Sequence, residues 1–257
     1  MKFFKEALGD GNTSLKILPI LHSCEAFDFL SILESRQLKP YKCDVFKKDY
    51  LYAFYGIPSY RKLIQGSKGN ASYFPVCFIM DYDKIPDMSR LHPFDTGAFS
   101  KLSNIKEDHF HEKVGITHLE LDPSIEEAKK VIKKFYKTNE NYVLHKPKLS
   151  LDDVSLLNQP AYGYTSLIND KSSTKYDNRV ATIELIYSEN IELDSSSLLQ
   201  VIAPKSYLAE DEIKEILTND FGIIDPIGYR TIKGNPLEYF GAIYDKYLDF
   251  TEQNNLI

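Results

Sequence analysis

The apolar residues of this chain are gathered into short runs broken by turn residues: KILPILH at 16–22, YLYAFY at 50–55, FPVCFIM at 74–80, VATIELIY at 180–187 and LLQVIA at 198–203. Apolar runs of about four to eight residues bounded by polar clusters read as buried strands. None approaches the roughly 20 apolar residues a helix needs to cross a bilayer, so no membrane partner is expected. The first run ends at His22, and Gly56 with Pro58 closes the second.

Helical periodicity fills the intervals. Phe29, Ile32 and Leu33, with Phe27 and Leu30 on the same face, predict a short helix over Ala26–Ser35 followed by Leu38 docking into the core. Asp122-Pro123-Ser124 opens the clearest helix: Ser124 and Glu127 fit a capping box, and Ile125, Ala128, Ile132 and Phe135 share one face. Further helices are expected over 210–218 and 236–250, with one or two turns at 59–65. Residues 116–121 alternate as a strand would, and 221–232 have strand character. HPFDTGAF at 92–99 reads as an ordered loop, and 139–175 show no usable period. With no internal repeat and no linker, the pattern predicts one α+β domain of mixed short strands.

Composition narrows the function. The 257 residues carry 37 acidic against 31 basic side chains, a net charge of -6, which gives no general grip on phosphate. The lysines at 47–48 and 129–134 read as solvated surface. Cys24, Cys43 and Cys77 form no CxxC pair, and their odd number argues against a disulfide framework. The first residues, MKFFKEALGDGNTS, do not make a secretory signal. A reducing cytoplasm is the expected compartment. Tyrosine is abundant, 18 residues against no Trp, and supplies flat rings with a hydroxyl handle.

Several motifs are weighed by the chemistry they would need. Asp95-Thr96-Gly97 spells the aspartic-protease tripeptide, but that chemistry needs two copies; a local turn capped by Asp95 is the simpler reading. His109 and His111, with Asp108, Glu112 and His118 nearby, have a permissive metal-ligand spacing, but solvent-exposed loop histidines are the preferred reading. Neither a GxGxxG nor a GxxxxGK[ST] sequence is present, so neither familiar phosphate loop is available. No nucleophile elbow surrounds any Ser or Cys.

The stretch 21–61 carries the sharpest pattern. His22-Ser23 is followed by Phe29, Ile32-Leu33 and Leu38; LYAFYGIPSYR then places Tyr52 on a strand with Ser59-Tyr60 beyond it. These offsets resemble the first two motifs of the ADP-ribosyltransferases of the diphtheria-toxin and poly(ADP-ribose) polymerase type, the H-Y-E arrangement. Glu184 in TIELIY is the best match to that family's third motif, with Glu189 and Glu192 as rivals. The chain departs from the pattern at Ser23, where the family has Gly, and by one residue inserted before Leu38.

The resemblance implies a split mixed β-sheet with short helices, a single domain over 1–257 in which 84–175 is an elaborated insertion, and NAD as substrate. His22, Ser23, Tyr52, Tyr60 and Arg61 would bind it, His22 by directed hydrogen bonds and the tyrosines by stacking. Glu184 would stabilise the oxocarbenium-like state formed as the nicotinamide–ribose bond breaks. Arg61 could pair with the pyrophosphate through its fork, while Arg179 is expected to form a structural ion pair. Thr182 occupies the position where arginine-modifying members carry Glu or Gln.

The expected activity is transfer of ADP-ribose to a protein or nucleic acid acceptor, or hydrolysis to free ADP-ribose. The role this implies is a bacterial toxin or phage-defence effector, with a neutralising antitoxin as a further partner. The alternatives are a non-catalytic binding module of transferase-like fold and, more remotely, a metal-dependent nuclease or hydrolase built on the histidine pair.

Overall fold

The computed structural model describes residues 2–59, 70–101, 103–170, 178–232 and 239–257. Tyr60 and Arg61 lie outside them. Among the described residues the chain forms an α+β domain around one mixed sheet, and no helix is long and apolar enough to cross a membrane.

The sheet is assembled from β1 (Ile20–Glu25), β4 (Asp49–Tyr55), β5 (Pro75–Met80), β6 (Arg90–His92), β7 (Glu184–Tyr187), β9 (Leu198–Pro204) and β10 (Ile227–Tyr229), in the order β10-β9-β5-β1-β4-β7-β6. The short β3 (Tyr41–Lys42) pairs with the start of β4, and β2 (Gln37–Leu38) with β8 (Ile191–Glu192) makes a separate ribbon. All pairings are antiparallel except β9 with β10. Every residue of β5 is buried, and both α1 (Ala26–Ser35) and α9 (Phe240–Gln253) pack on it. A strand covered on both faces needs the continuous apolar run that PVCFIM supplies.

β1 is held unequally on its two sides. It pairs with β5 over its whole length, Ile20↔Met80 to Glu25↔Pro75, but with β4 only at Ile20↔Tyr55 and Leu21↔Phe54. Beyond Leu21 the ladder between β1 and β4 stops. Gly56, with φ of 64°, follows β4 at its paired end and donates its N–H to the Pro19 carbonyl at 3.0 Å. A Cβ there would lie 2.4 Å from Leu18 Cδ1, so the position excludes a side chain by space as well as by backbone.

Several expectations are corrected by the packing. The first strand runs over Ile20–Glu25 and not 16–22: Pro19 has no N–H to give, and the Leu18 N–H is taken by the Tyr55 hydroxyl at 3.0 Å. Helix α1 has the expected bounds, but it buries only Ala26, Phe29 and Leu33; Phe27 and Leu30 face solvent. HPFDTGAF is no loop: it contains the end of β6 and the start of α2 (Thr96–Lys101). Residues 116–121 form a 3-10 turn at Ile116–His118 and a single bridge, Leu91↔Leu121.

The stretch 84–175 also holds α3 (Ser103–His109), α4 (Ile125–Val131), α5 (Asn139–Val143) and α6 (Gln159–Asn169). Ser124 caps α4 by accepting the Glu127 N–H at 3.3 Å. Phe94, Phe99, Phe110, Phe135 and Tyr164 meet in one aromatic cluster that anchors β6 and α2 behind the sheet.

Candidate active site

Glu184 is the first residue of β7 and is almost fully buried, which for a carboxylate requires partners. Its Oε2 accepts the backbone N–H of Thr96 at 3.1 Å. That N–H is the opening of α2, and Asp95, the residue before it, caps the same helix by accepting the Ala98 N–H. The expected turn at Asp95 is therefore present, and it has a consequence local reasoning missed: it brings a second carboxylate beside Glu184. Asp95 is itself held by Arg179, whose carbonyl accepts the Asp95 N–H at 3.2 Å and whose Nη1 lies 4.0 Å from Oδ1. Both side chains are buried.

This arrangement sets the protonation of Glu184. Burial pushes its carboxyl well above the usual range, the nearby charge of Asp95 adds to the rise, and the Thr96 N–H opposes it. Both causes favour the protonated form, and a cation placed beside the carboxyl would oppose them.

Tyr52 sits on the neighbouring strand, opposite Ile186, with Phe54 opposite Glu184. Registered pairs share a face of the sheet, so Tyr52, Phe54, Glu184 and Ile186 point the same way. The Tyr52 hydroxyl donates to Cys43 Sγ at 2.5 Å, and its ring lies 6.1 Å from that of Tyr41. Burial and the Cys43 contact raise the phenol's pKa, so the ring stays neutral.

His22 marks the place where β1 and β4 part. Its Nδ1 lies 2.9 Å from the Tyr52 carbonyl. A carbonyl only accepts, so Nδ1 carries the proton and Nε2 keeps its lone pair. Burial lowers the imidazole's pKa and the Tyr52 bond resists that change. Ser23 follows on β1, opposite Cys77. Ser59 is buried, while Tyr60 and Arg61 fall outside the described residues.

His22, Tyr52 and Glu184 thus lie on three consecutive strands, β1-β4-β7; by register Leu21, and not His22, shares the face of Phe54, Tyr52 and Glu184, and His22 meets Tyr52 through its backbone carbonyl. The rivals of Glu184 are exposed: Glu189 lies in the turn after β7, and Glu192 accepts from Gln37 Nε2 at 2.7 Å. The expected ion pair of Arg179 is found, with Asp95 as partner.

His109, His111 and His118 are drawn apart into separate contacts. His109 reaches Ser166 and Asp170, His111 accepts the Lys113 N–H, and His118 stacks on Phe3 and accepts the Gly115 N–H. Among the described residues no three His, Cys, Asp or Glu side chains converge as metal ligands. A groove of about 620 Å³ lies apart from the site, between β10 and α9, lined by Lys205, Ile224, Gly228 and Phe250 among others.

His92 was missed by sequence reasoning. It ends β6 directly opposite Glu184 and is buried, with neither ring nitrogen hydrogen-bonded among the described residues. Nothing in HPFDTGAF signals that a three-residue edge strand would carry it there. No family model matches the chain, and no curated protein or solved structure is significantly similar to it.

Proposed function

We propose that the protein is an NAD-consuming ADP-ribosyltransferase of the H-Y-E type, with an ADP-ribosyltransferase-like fold whose cofactor cleft opens where β1 and β4 separate. The observation that supports this reading is that His22, Tyr52 and Glu184 lie on consecutive strands, with the pairing between the first two strands broken at His22, whose ring there bonds the Tyr52 carbonyl.

In this reading His22 positions the dinucleotide. Its Nδ1 is occupied by the Tyr52 carbonyl, so Nε2 accepts a hydrogen bond from a ribose hydroxyl. Tyr52 supplies a neutral ring beside the nicotinamide. The nicotinamide ring of NAD is a cation, and its arrival beside Glu184 favours the ionised carboxylate that burial otherwise suppresses. As the glycosidic bond lengthens, positive charge moves from the ring to the ribose, and the carboxylate stabilises it there. Nicotinamide departs neutral and needs no general acid. ADP-ribose then passes to a macromolecular acceptor or to water.

The test is nicotinamide release from NAD by the purified protein. Release is expected from the wild type and lost in Glu184→Gln and His22→Ala. Glu184→Gln retains the shape of the side chain and removes the cost of burying a charge, so it is expected to fold. Release that persists in both variants rejects the site. No release from the wild type, with cell extract as acceptor source, favours a binding module of this fold.

A further inference from the structure

Glu184 has a neighbour on each side. β4 with Tyr52 flanks it toward β1, and β6 with His92 flanks it toward the sheet edge. Cross-strand neighbours on one face have Cβ atoms about 4.5–5.5 Å apart, so His92 stands next to Glu184 on the side away from the proposed dinucleotide cleft. The imidazole is 1% exposed and both nitrogens lack a hydrogen-bond partner among the described residues. A buried polar group left unpaired opposes folding, and such costs persist where function requires them. Burial and then the Arg90 charge push its pKa down to about 3, so the ring is neutral. It therefore offers one N–H donor and one lone pair.

The ring nearest to it is Phe46, 5.9 Å away, on the loop between β3 and β4. Phe46 also lies 4.1 Å beneath the Arg90 guanidinium, and Arg90 is fixed by a two-point contact with Glu120 at 2.8 and 2.7 Å. Phe46 is half-buried and belongs to the small apolar cluster of Cys43, Tyr50, Ile186, Val45 and Tyr52. For a second substrate to reach the buried imidazole, this ring would have to move aside.

Resting on the transferase reading, we propose that His92 meets the acceptor, and that the acceptor is a neutral X–H group, a hydroxyl or a ring N–H, and not a guanidinium. A guanidinium has donors only; it would leave the imidazole N–H unmatched and add a cation near Arg90, whose charge already acts on His92. In the transfer, the ribose–nitrogen bond breaks with its electron pair leaving on nicotinamide. The acceptor's lone pair forms the new bond to the ribose carbon, and the X–H proton passes to the imidazole lone pair. A weak base suffices, because attack on an oxocarbenium ion makes that proton strongly acidic.

The experiment uses NAD with three acceptor probes: water, methanol and agmatine, the last a guanidinium. The wild type is expected to give ADP-ribose and its methyl glycoside, and no agmatine adduct. His92→Leu is expected to lower both products roughly a hundredfold or more, the usual scale for losing a general base. The same variant is expected to melt higher, on the order of 2–4 °C, because an unpaired buried polar group has been replaced by an apolar one. Agmatine modification, unchanged product formation in His92→Leu, or a lower melting temperature in that variant would each overturn the inference and leave the transferase reading standing. Absence of nicotinamide release from the wild type would overturn both.

Discussion

Removing one oxygen atom from Tyr142 tests how the strand that bears Glu184 is held. Tyr142 lies on α5, fully buried, and its hydroxyl joins two strands: it donates to the Tyr55 carbonyl at 2.7 Å and accepts the Ile183 N–H at 3.0 Å. Tyr55 ends β4, and Ile183 immediately precedes Glu184. Tyr142→Phe preserves the ring and deletes both bonds. Each of the two neutral hydrogen bonds is worth about 1 kcal/mol net, and a stranded buried N–H adds about 1–3 kcal/mol, so the expected loss is about 3–5 kcal/mol. For a chain of this size each kcal/mol moves the midpoint about 2–4 °C, so the melting temperature should fall by about 6–20 °C. Thermal melting by circular dichroism, with urea titration at 25 °C, measures it. A midpoint within about 1 °C of the wild type would show that the hydroxyl carries no strand-to-strand load, and would refute the reasoning.

Two further predictions concern protonation and packing. His92 has a pKa near 3 in the fold against 6.5 for the ordinary group, so the unfolded chain binds the proton first and stability falls as pH drops from 6.5 toward 3. By pH 4.5 the cost is about 3 kcal/mol at 1.36 kcal/mol per pKa unit. The stability advantage of His92→Leu should therefore widen by that amount between pH 7 and 4.5 in parallel urea titrations, and an advantage independent of pH would contradict it. His145, lowered to about 4 by burial, contributes in the same direction. Gly163→Ala would place a Cβ 2.4 Å from Phe110 Cδ1 and 2.8 Å from the His109 carbonyl oxygen. Overpacking of this kind costs about 1–3 kcal/mol, and an unchanged urea midpoint would contradict the close approach of α6 to α3.

The parts of the fold legible in the sequence are those in which burial follows a simple period. Helix α1 announces itself through Phe29 and Leu33, and β5 through an unbroken apolar run. Helix α6 does not, because it buries Pro160, Ala161, Gly163 and Thr165 along with Tyr164 and Leu167; close packing by small residues leaves no hydrophobic stripe to read. β6 has only three residues, too few to show alternation.

The site divides in the same way. His22, Tyr52 and Glu184 sit within recognisable patterns, whereas Asp95 and Arg179 are tied to Glu184 only through the fold. The capping role of Asp95 was readable from Asp95-Thr96-Gly97. Its place beside a carboxylate on a distant strand was not, since that depends on β6 pairing with β7.

The residues between 92 and 142 supply His92, Asp95, the Thr96 N–H and the Tyr142 hydroxyl. One segment therefore tunes the carboxyl and also braces the strand that bears it. A sequence change there is felt twice, once in the environment of Glu184 and once in survival of the folded state. Selection acting on either would constrain both, and this stretch should drift more slowly than its irregular appearance suggests. Transplanting the three-strand core into another scaffold without it would carry over the named residues and lose their environment.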